Sequence, residues 1–445
     1  MVLFVLGECK DMKIRKINRN HNFIILLLLN IFFYGCYSSN SESVDFVVDV
    51  DEFVKIHEIQ KVEKKNINIP VILNDVFCLV FETETTVYVD NILQENNLGK
   101  NNQSVLFFLQ HMIPGWHELK IQDKDGIERY YLNIIMGSPN VIVSEALVNN
   151  GRNFKKNVFQ NKYKKYLQDN YSIYFGYFGS YGNVYTDLTL DKNGIPMVTI
   201  NNKNEYNPVA ISQYALSFYN SYEAITQSEK EKFLNCADFL CNYVNDDGGA
   251  PYNFDFTMHG ILLKAPWFSG MAQGQILSVL SRAFLLTKSE KYKTSGDKIV
   301  KFMVSSCKTD LSQLALANPS FSLYKDYIIY EEYKANIDSF VLNGNLFGLI
   351  GLHDWWEATY DVLSFDSFLK GCRTIELLLP YYDFYGSTSY DLVHYITGNY
   401  VNFDSQYAHD YHIACLDALY FYTYNKTFKQ YEERFISYYE DSKFN

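Results

Sequence analysis

A phenol releases its proton at about pH 10, so a tyrosine becomes an acid–base group only where cations or hydrogen bonds lower that value. The chain has 38 tyrosines and 33 phenylalanines in 445 residues. An AT-rich genome produces that abundance by codon usage, so only neighbours single a tyrosine out. Tyr333 follows Glu331-Glu332 and precedes Lys334. Tyr390 follows the turn-forming run Gly386-Ser387-Thr388-Ser389, and His394 stands four residues on, where a helix would put both on one face. Tyr411 adjoins His412. Phenols grouped with carboxylates and imidazoles can pass protons without a redox group. A carboxylate with a raised pKa takes a proton in the same way, which makes Glu332 an alternative base.

Other chemistries lack their residues. No glycine-rich loop stands at a strand–helix junction, so neither NAD nor ATP is expected, and no EF-hand pattern accompanies the Asp-rich turns. Eight cysteines include no Cys-x-x-Cys pair, and Cys236 and Cys241, five apart, are badly spaced for a bridge. Asp246, Asp247, Asp391 and Asp410 form no recognised glycosidase pair. No cofactor and no metal are expected. The net charge of −12 argues against nucleic acid or an anionic membrane surface as partner, and any acidic ligand would need a local positive pocket.

With 48% apolar and 20% charged residues the chain reads as globular, with room for two or three domains. The expected class is α+β multidomain. Residues 44–138 carry short alternating runs (46–50, 76–81, 86–89, 104–109, 130–135) and a hairpin signal at Gly115–Ile121 with Asp123–Gly126, which suits an Ig-like β-sandwich. A connecting region spans 140–206: 140–170 reads as mainly helical, and 172–200 as a small β element turning at Asp191–Gly194. From 207 to 445 the pattern changes to helices at 209–226, 228–244, 272–287, 290–305, 342–359, 365–382, 412–424 and 427–440. Eight helices in four hairpins predict an incomplete α/α toroid with a cleft at one rim.

At the N-terminus Lys13, Arg15, Lys16, Arg19 and His21 precede the apolar run 23–34, which closes on Gly35-Cys36. That run is about 12 residues, against the roughly 20 that a membrane-spanning helix needs. Phe33-Tyr34-Gly35-Cys36 has the look of a loose lipobox, which would make residues 1–36 a signal and lipoprotein-like segment with Cys36 as the lipidated N-terminus. The expectation is export and attachment to the cell envelope through a lipid anchor; a cleaved signal and a short N-terminal membrane anchor are the alternatives.

Five segments in order resemble the glucuronyl C5-epimerase family, which acts on uronate polymers: Tyr206–Leu216, Trp267–Gln275 with Arg282–Thr287, Glu331–Tyr333 with Ser339–Gly344, Gly386–Leu392, and Asp410–His412. The resemblance covers roughly 172–440. It implies inversion of C5 in D-glucuronate residues (to L-iduronate) within a polysaccharide, with Tyr333, Tyr390 and Tyr411 in the site and Glu332 beside the first. The family's arginine two residues after the Asp of the fourth motif is Val393 here, and the histidine that commonly follows the fifth is Cys415.

The C5–H of a uronate is a weak carbon acid beside a carboxylate. Its removal needs a close base and donors that neutralise the developing enediolate, and inversion needs a proton from the opposite face. His394, His412 and Asn343 are candidates to bind the carboxylate or hydroxyls, with a packed histidine or a helix cap as the plain reading. Trp267 and Tyr206 offer rings for a pyranose, and Gln273 a polar contact; core packing and a helix start are their plain readings. Of Lys203, Lys264, Arg282, Lys334 and Arg373, the lysines Lys264 and Lys334 are best placed to replace the missing arginine. A uronate-containing polysaccharide is the expected partner and a homodimer the expected assembly. Two other readings share these residues: a uronate polysaccharide lyase on the same toroid, and a carbohydrate-binding surface lipoprotein whose catalytic site has decayed.

Overall fold

Short β-branched and aromatic runs between residues 60 and 144 fold as strands: β1 (Gln60–Glu63), β2 (Val71–Leu73), β3 (Val76–Val80), β4 (Thr86–Val89), β5 (Ile92–Gln94), β6 (Ser104–Phe108), β7 (Gly115–Asp123), β8 (Gly126–Ile134) and β9 (Asn140–Ser144). The computed structural model describes residues 51, 54–55, 59–150 and 189–440, apart from 65–66, 68, 75, 82–84, 95–103, 109–111, 136–138, 220–224, 259, 315–320, 323 and 404–405. The expected leader with Cys36, the strand expected at 46–50 and the stretch 151–188 lie outside the described residues. The described residues fall within one compact unit.

Six strands pair in the order β2-β9-β8-β7-β4-β5, every pairing antiparallel. Three more pair as β1-β3-β6, with β1 parallel to β3. Leu119 and Ile121 of β7 and Leu132 of β8 alternate inward and share one apolar core with Phe77 and Leu79 of β3. Asp123 accepts from the Asp125 amide at 2.9 Å and turns β7 into β8. The helical reading of 140–170 is corrected at its start. Val141, Ile142 and Val143 are β-branched and fully covered, so the run enters the six-stranded sheet between β2 and β8. Helix α1 (Glu145–Asn150) follows.

A small antiparallel sheet of β10 (Thr189–Leu190), β11 (Pro196–Ile200) and β12 (Lys203–Glu205) comes next. Asp191 Oδ1 accepts from the amides of Asn193 and Ile195 and closes its first turn.

The C-terminal half is built from α2 (Pro208–Ser217), α3 (Gln227–Tyr243), β13 (Phe256–Met258), β14 (Ile261–Leu263), α4 (Gly270–Thr287), α5 (Glu290–Phe302), β15 (Lys308–Asp310), β16 (Ile328–Tyr330), α6 (Leu342–Thr359), α7 (Val362–Tyr382), α8 (Val393–Thr397), α9 (Gln406–Thr423) and α10 (Lys426–Glu440). Local chemistry sets the helix starts. Asn207 caps α2 ahead of Pro208, and Thr226 forms a capping box with Glu229 before α3. A π-helical turn at Met303–Cys307 ends α5 sooner than the sequence pattern suggested.

Consecutive helices pack as hairpins, α2 on α3, α4 on α5, α6 on α7 and α9 on α10. The first helix of each hairpin also touches the first helix of the next. Burial follows from this. Residues 270–281 of α4 and 342–355 of α6 are covered on every side, whereas α3 and α5 bury one face only. Glycines permit the closest of these contacts: a Cβ on Gly351 of α6 would stand 2.0 Å from the Gly274 carbonyl oxygen of α4. Arg282 of α4 holds Asp354 of α6 at 2.9 Å, so this guanidinium is committed to an ion pair between helices.

Candidate active site

Glu331 and Glu332 leave β16 in succession and serve opposite purposes. Glu331 is 1% exposed, and its carboxylate accepts from the amides of Ser339 and Phe340 and from the Ser339 hydroxyl at 2.7–3.0 Å. It pins residues 331–340 into a loop in which Phe340 takes a left-handed backbone (φ 54°). Glu332 turns the other way, towards the start of α6. A Cβ on Gly344 would lie 2.3 Å from Glu332 Oε2, so only glycine at that position leaves the carboxylate its place.

Tyr390 meets this carboxylate from the other side. Its backbone is clamped twice: its amide donates to Asn402 O at 2.8 Å, and its carbonyl accepts from the Leu342 amide at 3.1 Å, at the first residue of α6. From there its hydroxyl donates to Glu332 Oε2 at 3.4 Å. Tyr333 also hydrogen-bonds Glu332 and Tyr390. Two phenols and a carboxylate from distant segments thus share one hydrogen-bonded cluster.

Burial raises the Glu332 carboxyl to about 7, against the downward pull of the bonds from Tyr333 and Tyr390. Burial first, then the neighbouring Glu332 and Tyr390, hold the Tyr333 phenol well above its ordinary value. The sequence reading required cations to lower a phenol. Tyr333 is therefore a proton donor in this state. Burial raises Glu331 to about 7 as well, but its acceptor oxygens are taken by Ser339 and Phe340, which leaves Glu332 as the raised carboxyl facing the phenols. The folded pKa of Glu332 lies above its ordinary 4.5, so its stabilising contribution is complete below that value and is lost as pH rises through about 7. Glu332→Gln removes this loss. Its stability relative to wild type is expected to improve by up to about 3 kcal/mol between pH ~5 and pH ~9, measured by urea unfolding at both.

The other sequence candidates divide. Tyr411 is 1% exposed, with its ring edge-on to Phe347 at 5.2 Å, whereas Tyr390 is only partly buried. His394 lies on α8, which starts only at Val393, so Tyr390 is not on that helix and the shared-face expectation is corrected. The His394 ring is buried against Phe384 and Tyr395, and burial pushes its pKa down to about 3. His412 is fully buried, with Nδ1 3.3 Å from Thr388 Oγ1. Trp267 is 7% exposed and stacked on Tyr252 at 3.9 Å, which makes it a wall behind Tyr333 rather than an open platform. Tyr206 donates to Asp191 at 2.8 Å and packs on Phe239, a role in the small sheet. Gln273 is fully buried and exchanges hydrogen bonds with the Ala250 backbone. Asn343, in the first turn of α6 beside Gly344, is 4% exposed; it is not the helix cap, which is Val341.

Lys264 and Lys334 border one cleft of about 310 Å³ with Trp267 and Asn336. Ile261, Leu263 and Ala335 are common to this cleft and to a narrow crevice that reaches Tyr333 and Ser339. Lys264 pairs with Asp255 at 2.9 Å, and Lys334 lies 3.5 Å from Asp338. Val393 is buried, so the position that holds an arginine in the resembling family has no room for solvent around a charge.

Two devices escaped the sequence reading. Asp383 accepts from the Trp116 indole and pairs with Arg434 and Tyr438, tying the six-stranded sheet to α7 and α10. His409 Nε2 donates to Phe435 O, which leaves Nδ1 to accept from Thr388 Oγ1 at 2.7 Å and fixes the turn before Tyr390. A lone Asp and a helix histidine give no local signal for either.

These features define a helical domain with a buried, hydrogen-bonded Glu–Tyr cluster. Residues 244–437 match the family described as D-glucuronyl C5-epimerase C-terminus, so the resemblance carried by the motifs holds over this part of the chain. Over 212 residues the chain is 32% identical to a D-glucuronyl C5-epimerase of Caenorhabditis elegans, an alignment covering 44% of this chain and 33% of that relative. An uncharacterized protein of Methanocaldococcus jannaschii is 24% identical over 132 residues, 30% of this chain and 41% of its own length. The chain thus spans well under half the length of either relative. Among solved structures, a cellobiose 2-epimerase from Bacillus thermoamylovorans aligns at TM-score 0.44 with 10% identity, over 62% of this chain and 71% of that one, a likeness too distant to carry an argument.

Proposed function

We propose that this protein inverts C5 of D-glucuronate residues within a polysaccharide. The observation that carries the reading is the buried Glu332 carboxylate, hydrogen-bonded by Tyr333 and Tyr390 inside the segment of C5-epimerase kinship. In the proposed reaction, a pyranose entering beside Tyr390 displaces its long bond to Glu332. The C5–H bond breaks, its proton passes to a Glu332 oxygen, and the electron pair moves into an enediolate of the substrate carboxylate. The Tyr390 hydroxyl gives its proton to C5 from the opposite face, leaving a phenolate. After product leaves, Glu332 returns its proton to Tyr390 across the contact seen in the free protein. Atoms and charge balance, and no redox partner takes part. Lys264 and Lys334 supply positive charge to an acidic chain lying along their cleft.

The wider reading comprises an incomplete α/α toroid for the helix hairpins, an Ig-like sandwich for the two sheets, a uronate polymer as partner and a homodimer as assembly. It also includes export, with Cys36 as lipid anchor. Among the described residues no helix is long and apolar enough to cross a membrane.

The test is incubation with uronate polymers in heavy water. Deuterium is expected at C5 without chain cleavage. A product absorbing in the ultraviolet from a new C4=C5 bond would replace the reading by a lyase, and binding without exchange would reduce the protein to a carbohydrate binder.

A further inference from the structure

The turn that ends at Tyr390 begins at Tyr385, and Tyr385 borders a second cleft. Its backbone holds φ 55°, a left-handed conformation uncommon for a tyrosine, with its amide bonded to Asp383 Oδ1 at 3.0 Å. The ring stacks on Tyr131 of β8 (centroids 5.1 Å apart) and tilts against Trp116 of β7 at 5.6 Å. The Trp116 indole N–H is fixed by Asp383 Oδ2 at 3.2 Å. With Glu118, Arg129 and Asn149, these rings line a cleft of about 460 Å³ between the six-stranded sheet and the turn.

Its polar groups are held in place. Arg129 donates to Glu118 at 3.2 Å, while Asp90 accepts from the Glu118 amide and lies 2.6 Å from His117 Nδ1. Among the described lining residues Asp90, Glu118 and Glu145 set three carboxylates against the guanidinium of Arg129, and Arg434, over the Tyr385 ring, is already paired with Asp383, a balance that repels a polyanion. Aromatic rings suit the C–H faces of a pyranose, and carboxylate, guanidinium and amide groups offer planar pairs of hydrogen-bonding atoms to its hydroxyls. We propose that this cleft is a second carbohydrate site that takes a neutral saccharide. It shares no residue with the Glu332–Tyr390 cluster and stands independently of the C5 chemistry.

The experiment titrates the full chain with cellotetraose, maltotetraose, N-acetylchitotetraose and a glucuronate-containing tetrasaccharide, following tryptophan emission and calorimetric heat. At least one neutral tetrasaccharide is expected to bind with a submillimolar Kd and to change an emission component that Trp116→Phe abolishes. Arg129→Ala and Asn149→Ala, at exposed positions, are expected to weaken binding about tenfold or more with an unchanged circular dichroism spectrum. The proposal is overturned if no neutral tetrasaccharide binds at about 10 mM, if the double variant Arg129→Ala/Asn149→Ala binds as wild type does, or if only the glucuronate oligomer perturbs Trp116.

Discussion

Tyr390→Phe is expected to abolish most C5 deuterium incorporation, by about a thousandfold, while leaving the protein folded. Acid–base groups that deliver or take the reacting proton typically contribute factors of about 10² to 10⁴. The substitution deletes only the hydroxyl. The contacts that hold the residue, its amide to Asn402 O and its carbonyl from the Leu342 amide, are backbone contacts and persist. Glu332→Gln is expected to lose exchange to a similar extent, because an amide cannot accept the C5 proton. Tyr411→Phe separates this account from one in which Tyr390 and Tyr411 flank the sugar. Tyr411 is 1% exposed, so its loss is expected to change exchange by less than about tenfold. Exchange in Tyr390→Phe at the wild-type rate would remove the phenol from the mechanism, and equal losses in Tyr390→Phe and Tyr411→Phe would restore the two-tyrosine arrangement. Either result is read by NMR at C5 in heavy water.

The largest stability effect is expected at a glycine. Alanine is ordinarily better than glycine inside a helix by about 1 kcal/mol. At Gly351 that gain is overwhelmed, since the added methyl would lie 2.0 Å from the Gly274 carbonyl oxygen, and that oxygen belongs to the backbone of α4. It moves only if the helices separate, which would loosen the packing behind Gly344 and Glu332. Overpacking typically costs about 1–3 kcal/mol and more where backbone must shift, so Gly351→Ala is expected to lose about 3 kcal/mol or more in urea unfolding. Gly371→Ala provides the contrast. Its methyl would stand 2.2 Å from Leu349 Cδ2, the far end of a side chain that can turn away. A Gly351→Ala protein as stable as wild type would show that α4 and α6 do not approach as described.

Much of the helical half was legible because its signals are local. Asn207-Pro208 and Thr226 with Glu229 mark helix starts that capping chemistry sets by itself. The strand Asn140–Ser144 was missed. Its five residues carry no alternation, because both edges pair and both faces are covered, and a short apolar run of that kind does not declare its period. Within the motif Glu331-Glu332-Tyr333, sequence alone could not tell which carboxylate is structural. The choice is made by Ser339 and Phe340, which satisfy Glu331 and leave Glu332 to the phenols.

By itself the sequence determined the chemical inventory of this protein: phenols and a carboxylate in ordered motifs, helices in hairpins, and a valine where the resembling family has an arginine. Residue types and helical periods are written over a few positions at a time. Only the tertiary structure decided which groups meet. Tyr390 reaches Glu332 across 58 residues of chain, whereas Tyr411, Trp267 and His394 are enclosed by neighbours from other elements. Exposure and pKa belong to the surroundings that the folded chain assembles, and those surroundings come from segments too distant in sequence for any local pattern to register.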